Sequence, residues 1–524
     1  MKTIIVPVDG ATNIKLEVLD YETLQTVFTR ESETPVTEVN GLVYNCTGKE
    51  CQWFDSSILD MPEHLKTVKV IAPVSRGASG GLIGFNNTLV EVPGENLTLS
   101  YTQAYPDRVE EAFRELVGDD SEFFLETGSV REFPGSIILL KRFLYEEMER
   151  PDLLNHTEYF GTYGSLLTAH FIGDNYLKAV LVAGNEHSYW MCHTGARNIN
   201  KKSGTNSSYC ERISTFNRLV PFEPSLVYNS IGSMPYEQSL ALGLYGELQV
   251  VPGGHDTCLS HIPIMSTYYH VFEDQVGTSV VHIDAGSWTM IAQIGGGVKL
   301  PPDGYRRDIV VQGTVDGQPV VTARYGGGND FKYIKELIES HSGRFDGVVN
   351  EKLLEETVRA ADCFVLPNIN PINHLTGPFP NLKGEIINES VFFEDPKRAY
   401  IIANLTTALI TAFQIEAVTD NDYIPLVLTG GGAKDVYFGR LLATITGRQV
   451  YALEDCNGKA LSETTTLGAA IVGKAACLPV HPYRVDISSL GIAYRNLSAF
   501  GGEIKRQLEH YRNRFFEEIR KHHD

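Results

Sequence analysis

The stretch IIVPVDGATNIKLEVLD, residues 4–20, decides how the rest of the chain is read. An apolar run from Ile4 to Val8 ends at Asp9. Gly10, Ala11 and Thr12 follow, and then Ile14, Leu16 and Val18 alternate with Lys15 and Glu17. Alternation of period two marks a half-buried strand, so the stretch predicts strand, bend, strand. The bend has two readings. It is a hairpin tip whose aspartate bonds its own backbone, or it is a loop whose open N–H groups and hydroxyls take phosphate oxygens.

A second stretch is built the same way. SVVHIDAGSWTMIAQI, residues 279–294, also runs apolar strand, aspartate, small polar bend, apolar strand. Asp284 lies 275 residues beyond Asp9, about half of the 524-residue chain. Two related halves, each opening on such a hairpin, account for the repeat; chance likeness of two hairpins is the alternative. A chain of this length exceeds one core and predicts at least two domains. Along the chain, strand-like runs such as VKVIAPV (68–74) alternate with helical patterns. Those patterns fall at 107–117, 135–149, 236–243, 331–340, 350–362, 395–418, 436–446, 462–477 and 502–520. The alternation favours an α/β fold.

Composition narrows the function. Apolar residues make up 43% and charged residues 21%, as in ordinary globular proteins. With 44 basic and 65 acidic residues the net charge is −21, which argues against a general nucleic-acid surface. The first residues do not form a secretory leader, and no uncharged apolar run reaches the roughly 18–20 residues of a membrane span. A cytoplasmic protein is expected, its eight cysteines reduced and structural. Cys46 and Cys51 lack the paired spacing of a zinc site. Neither a Gly-x-x-x-x-Gly-Lys-Ser/Thr loop nor a Gly-x-Gly-x-x-Gly turn after the first strand is present, which excludes P-loop enzymes and disfavours Rossmann dehydrogenases.

Four bends are rich in small residues: 9–13, 285–289, 326–329 and 430–433. Backbone that must approach a phosphate uses such residues because no side chain obstructs it. An aspartate beside a phosphate loop would repel the anion unless a cation intervened, so Asp9 suits Mg²⁺ held through water. A fifth place, VPGGHD at 251–256, ends a strand in glycines and presents His255 and Asp256. Phosphorylating a hydroxyl needs a base for its proton. An aspartate placed there equally caps a following helix.

Taken together, these motifs resemble the FGGY family of carbohydrate kinases, on the actin/hexokinase/Hsp70-like ATPase fold, over almost the whole chain. DGATNIK (9–15) is similar to the family's first phosphate loop, GGHD (253–256) to its catalytic motif and AGSWT (285–289) to its second phosphate loop. LTGGGAKD (428–435) with TGRQV (446–450) resembles the adenosine element, and ETTTLGAA (463–470) the closing helix. The resemblance implies two related ribonuclease H-like domains, 1–256 and 257–524, with the active site in the cleft between them. It implies an ATP- and Mg²⁺-dependent sugar kinase. Asp256 would be the catalytic base, and Asp9 and Asp256 the acidic residues near the metal. Gly10, Thr12, Asn13 and Lys15 would surround the β- and γ-phosphates, joined by Ser287 and Thr289. Gly430, Gly431, Gly432 and Lys434 would line the adenosine pocket, with Gly327 nearby.

For the sugar, the matching segments offer Arg76, Asp107, Arg108, His193 and His255 beside Asp256, with Trp190 available to stack. Cys192-His193-Thr194 and LTGPFPN (375–381) most resemble the L-fuculose and L-rhamnulose kinase branch. Three departures leave the sugar open. Ala11 stands where threonine or serine is frequent, TQAYPDR departs from the usual Asp-x-Arg spacing, and residues 138–144 lack a tryptophan often found there. The alternatives are a kinase for a pentulose (xylulose or ribulose) or a polyol, or a non-catalytic ATP-binding sugar sensor of the same fold. The expected partners are the sugar and ATP, with no nucleic acid and no membrane; a homodimer is compatible with the sequence.

Overall fold

The computed structural model describes all residues except 133–136, 174–186, 191–193, 202–203, 222, 273–278, 297, 345–349, 372–376, 462, 479 and 524. The chain forms two compact units. The first comprises Met1–Asp274, Val310–Val320 and Glu463–Gly491; the second comprises Gln275–Ile309, Val321–Ser462 and Ile492–Asp524.

In the first unit, β1 (Lys2–Asp9) pairs antiparallel with β2 (Asn13–Asp20), which pairs with β3 (Thr26–Glu33). On its other side β1 runs parallel to Thr67–Ile71 and then to Val74–Ser75. The interior residues Thr3–Val6 of β1 are all buried, as expected of a central strand covered on both faces. Helix α1 (Thr47–Leu59) covers the sheet, placing Phe54 and Ile58 against Ile14, Leu16 and Val18. The alternation read at 14–18 is therefore only partly realised. Lys15 is half-buried, and Glu17 is buried along with its apolar neighbours.

The parallel strands share one carboxyl end. Val8 and Asp9 register with Val74 and Ser75, which register with Gly254 and His255. Asp9, Ser75 and His255 thus form one row across three neighbouring strands; the first two strands run on into glycine-bearing bends and the third into helix Asp256–Phe272. Such carboxyl ends are where open α/β sheets bind ligands.

The second unit repeats the arrangement. Val280–Ala285 pairs antiparallel with Thr289–Ile294 and parallel with Leu426–Gly430. Within this unit the sheet order is Pro319–Tyr325 (from Val321), Thr289–Ile294, Val280–Ala285, Leu426–Gly430, Val450–Glu454, Ala493–Asn496. Ala285 registers with Thr289 on one side and Gly430 on the other. The repeat read from Asp9 and Asp284 is therefore a repeat of topology: a hairpin whose first strand also runs parallel to a strand ending in a glycine bend.

The division between units differs from the expected boundary at 256/257. Helix Asp256–Phe272 lies within the first unit and packs on Thr464–Ala476. Gly468 permits that contact, because a Cβ there would lie 1.9 Å from the Leu259 carbonyl oxygen. The helices expected at 107–117 and 436–446 span Asp107–Val117 and Val436–Thr446. The one expected from 331 begins at Gly327, because its glycines enter the first turn. Of the helix expected at 135–149, Leu139–Glu149 is seen. Helix Pro396–Val418 is the one described helix long and apolar enough to cross a membrane, and 83% of that stretch is buried. Ala399, Ile402 and Ala403 pack it against Ile334, Ile338 and Phe392 as a core helix.

Candidate active site

The bend after β1 is a tight closed turn. The Gly10 N–H donates to the Asn13 carbonyl (3.1 Å), and a Cβ on Gly10 would come within 2.6 Å of that oxygen. Ala11, Thr12 and Asn13 form its exposed tip. Thr34 fastens the turn from outside, its hydroxyl donating to the Gly10 carbonyl (2.9 Å) and its N–H to the Thr12 carbonyl (2.9 Å). Asn13 donates to Glu31 (2.8 Å). Lys15 is paired with Glu17 and with Glu463 (3.1 Å), so its ammonium is already balanced by carboxylates.

Asp9 is fully buried. Arg76 Nη2 lies 2.9 Å from its Oδ1, yet neither carboxylate oxygen has a well-directed hydrogen bond. Burial pushes the Asp9 carboxyl well above the usual range, against the pull of Arg76 and with Glu50 adding to the rise. Arg76, expected at the sugar, is spent behind the loop. It is 3% exposed, its Nη1 donates to the Gly10 carbonyl (3.0 Å), and its Nη2 reaches Glu50 (3.2 Å).

Asp256 opens the 17-residue helix Asp256–Phe272, one residue beyond the row that contains Asp9. Strands spaced about 4.8 Å apart put His255 roughly 10 Å from Asp9 across two intervals. Asp256 Oδ1 accepts from the Thr257 N–H (2.6 Å) and hydroxyl (3.2 Å), and His255 Nδ1 stands 3.3 Å away. Its side chain is 45% exposed although His255 beside it is buried, and Oδ2 has no hydrogen bond among the described residues. The carboxylate is thus oriented through one oxygen and open at the other. Burial depresses the basicity of His255, against the pull of Asp256. His255 is further fixed by Ser188, which accepts its backbone N–H (3.0 Å), and by Gly77, where a Cβ would strike His255 Nε2 at 2.3 Å.

Asp107 and Arg108 are exposed at the start of their helix, and Arg108 pairs with Glu149. Trp190 is buried against Phe216 and Arg197, so it is a packing residue. His193, Cys192 and residues 375–376 lie outside the described residues. Tyr101 was missed. Its hydroxyl is made less acidic by burial and lies within electrostatic reach of Arg76, Asp256 and Asp9. Glu50 and Tyr163 were missed as well, since nothing local links a helix residue at 50 to the loop at 10.

The second unit carries a cavity of about 370 Å³ lined by three of the four small-residue bends. Ser287 and Thr289 come from the first, Gly327 to Asn329 from the second, and Gly431 and Gly432 from the third. The glycines let the bends approach closely: a Cβ on Gly328 would lie 1.9 Å from the Gly286 carbonyl oxygen, and one on Gly432 would lie 2.5 Å from the Ala285 Cβ. Gly430 has φ +70°, and a Cβ there would also meet Asp284 Oδ1 at 2.6 Å. Gly430 and Lys434 stand outside the lining, Lys434 being exposed. The apolar wall is Phe331 and Phe438. The polar wall was not foreseen: Asn404 and Thr407 from helix Pro396–Val418, and Asp435. Asp435 caps the next helix through the N–H groups of Tyr437 (2.9 Å) and Phe438 (3.3 Å), and accepts from the Tyr400 hydroxyl (3.0 Å). The one sequence signal for Asn404 was a polar cluster, Asn404-Leu405-Thr406-Thr407, inside an apolar helix.

Residues 277–478 match the carbohydrate kinase FGGY C-terminal domain, the segment that contains this cavity. No curated protein matches the chain by sequence. In structure it is similar to a carbohydrate kinase from Novosphingobium aromaticivorans, with TM-score 0.77 and 19% identity over 99% of each chain. A ligand-bound xylulose kinase from Lactobacillus acidophilus gives TM-score 0.74 at 13% identity over 99% of this chain and 98% of that one. Plasmodium falciparum glycerol kinase with ADP gives 0.72 at 12%, again over 99% and 98%. At these identities the likeness speaks for the fold, the two-domain actin-like ATPase fold.

Proposed function

We propose that this chain, whose residues 277–478 match the FGGY C-terminal domain, is a carbohydrate kinase that phosphorylates a ketose hydroxyl with ATP, using Asp256 as general base. The observation that carries the proposal is Asp256 itself: a carboxylate pinned through Oδ1 at a glycine bend, open at Oδ2, and set among buried neighbours. The proton of the acceptor hydroxyl passes to Oδ2 as its oxygen bonds to the γ-phosphorus, and ADP leaves. The cavity of the second unit suits the nucleotide, with Phe331 and Phe438 as apolar faces for a base and the backbone at Gly327–Asn329 and Gly431–Gly432 free of side chains.

Mg²⁺ would neutralise phosphate charge. The chain's own residues fit it in one respect: Asp9 is a buried carboxylate whose oxygens lack directed hydrogen bonds. Among the described residues no cluster of three His, Cys, Asp or Glu is arranged for a metal, so water and phosphate would fill the remaining positions, as Mg²⁺ prefers. The motif resemblance supports L-fuculose or L-rhamnulose as the first sugars to try. The test is ADP release by purified protein with Mg-ATP and a panel of 6-deoxyketohexoses, pentuloses and polyols. Turnover of one ketose above the others supports the proposal; no turnover with any of them favours a sugar sensor.

A further inference from the structure

Behind the first glycine bend, two carboxylates share one guanidinium. Arg76 Nη2 lies 2.9 Å from Asp9 Oδ1 and 3.2 Å from Glu50 Oε1. Tyr163 closes the far side, its hydroxyl donating to Glu50 Oε2 at 2.5 Å and its ring lying 4.8 Å from the guanidinium carbon. Asp9, Glu50 and Tyr163 are fully buried and Arg76 nearly so. Among the described residues, the Tyr101 phenol also lies within electrostatic reach of Asp9.

With Arg76 alone, Asp9 would sit in a neutral pair and hold a cation weakly. With Glu50 present, two buried carboxylates share one guanidinium, so the second of them is stabilised as a carboxylate only when a cation reaches the cluster. Glu50 also holds the guanidinium to one side, so that Arg76 approaches Asp9 without a directed hydrogen bond to either oxygen. We propose that Glu50 is a positioning residue for Asp9: by engaging Arg76 and contributing a second negative charge, it keeps Asp9 available to the divalent cation. The inference rests on the Mg-ATP reading above. Tyr163 holds Glu50 in place, and Arg76 ties the same cluster to the Gly10 carbonyl of the loop.

The test is Mn²⁺ binding to the full-length protein, with ADP present, followed by the electron paramagnetic resonance signal of the free ion. Removing one unit charge a few ångströms from the cation predicts that Glu50→Gln weakens Mn²⁺ binding about tenfold or more. Glu50→Asp, which keeps the charge, stays within about threefold of wild type. Affinity for metal-free ADP is unchanged in both. Equal losses in the two variants, or none in Glu50→Gln, overturn the proposal. Should Glu50→Gln fail to fold, Tyr163→Phe tests the same point: it leaves every charge in place and Arg76 still holds Glu50 Oε1, so Mn²⁺ binding stays within about threefold of wild type. A tenfold loss there would make packing the cause, and charge would be refuted. Wild-type protein that binds no Mn²⁺ with ADP would overturn the Mg-ATP reading as well, whereas unaffected variants of a binding wild type overturn only the role of Glu50.

Discussion

Gly328→Ala tests whether the second-unit cavity depends on backbone meeting backbone. Gly328 stands in the first turn of helix Gly327–Ser342, and a Cβ there would lie 1.9 Å from the Gly286 carbonyl oxygen, 2.8 Å from its carbon and 3.1 Å from Ser287 Cα. None of these atoms can rotate away. The two bends must part by more than an ångström, which breaks the bond from the Asn329 N–H to the Ser287 carbonyl (3.0 Å). A lost hydrogen bond costs about 1 kcal/mol and overpacking about 1–3 kcal/mol. Together these correspond to a Tm lower by roughly 4–16 °C for a unit of this size. Because both bends line the cavity, ADP affinity falls about tenfold or more. The control is Gly431→Ala, whose Cβ would meet only the Ala285 carbonyl oxygen at 3.3 Å, so Tm stays within about 1 °C. Calorimetric titration with ADP and a thermal melt read both quantities. An alanine at 328 that leaves ADP affinity within about twofold and Tm unchanged refutes the assignment of this cavity.

Three further outcomes follow from the same geometry. Asp256→Asn keeps the fold and ADP binding but lowers sugar-dependent ADP release about 10²- to 10⁴-fold; undiminished turnover would remove Asp256 as the base. Gly468→Ala drives a Cβ against the Leu259 carbonyl oxygen at 1.9 Å and lowers the melting temperature of the first unit, by about 1–3 kcal/mol of stability, while a melt like that of wild type would contradict the tight packing of helix Thr464–Ala476 on Asp256–Phe272. His261 is buried and its pKa is lowered from 6.5 to about 3, first by burial and then by His255. Its neutral form stabilises the fold fully above pH 6.5, and that contribution is lost as pH falls towards 3. Urea titrations at pH 6.5 and 5 should therefore show wild type losing about 2 kcal/mol more than His261→Gln, and equal losses would contradict the assignment.

The chemistry-bearing bends were legible because their causes are local. An apolar run followed by small residues predicts a strand ending in a tight bend, and described strands end at Asp9, His255, Ala285 and Gly430. Their meeting is topological: Asp9 and His255 share a row because Val74–Ser75 lies parallel between their strands, which no spacing along the chain discloses. Arg76 illustrates the limit. Its sequence position suggested a ligand contact, yet its partner Glu50 lies 26 residues away and the Tyr163 that fixes Glu50 is 113 residues further on. Asn404 likewise reaches the cavity from a helix whose sequence reads as core.

The sequence by itself determined where strands must stop and which residues stand at those stops, because backbone sterics and hydrophobic alternation act over a few residues. Only the tertiary structure decided which buried charges face one another, because a charge taken out of water must find its partner wherever the chain brings one. Between Asp9, Arg76 and Glu50 that choice turned an expected sugar contact into the support behind the first loop.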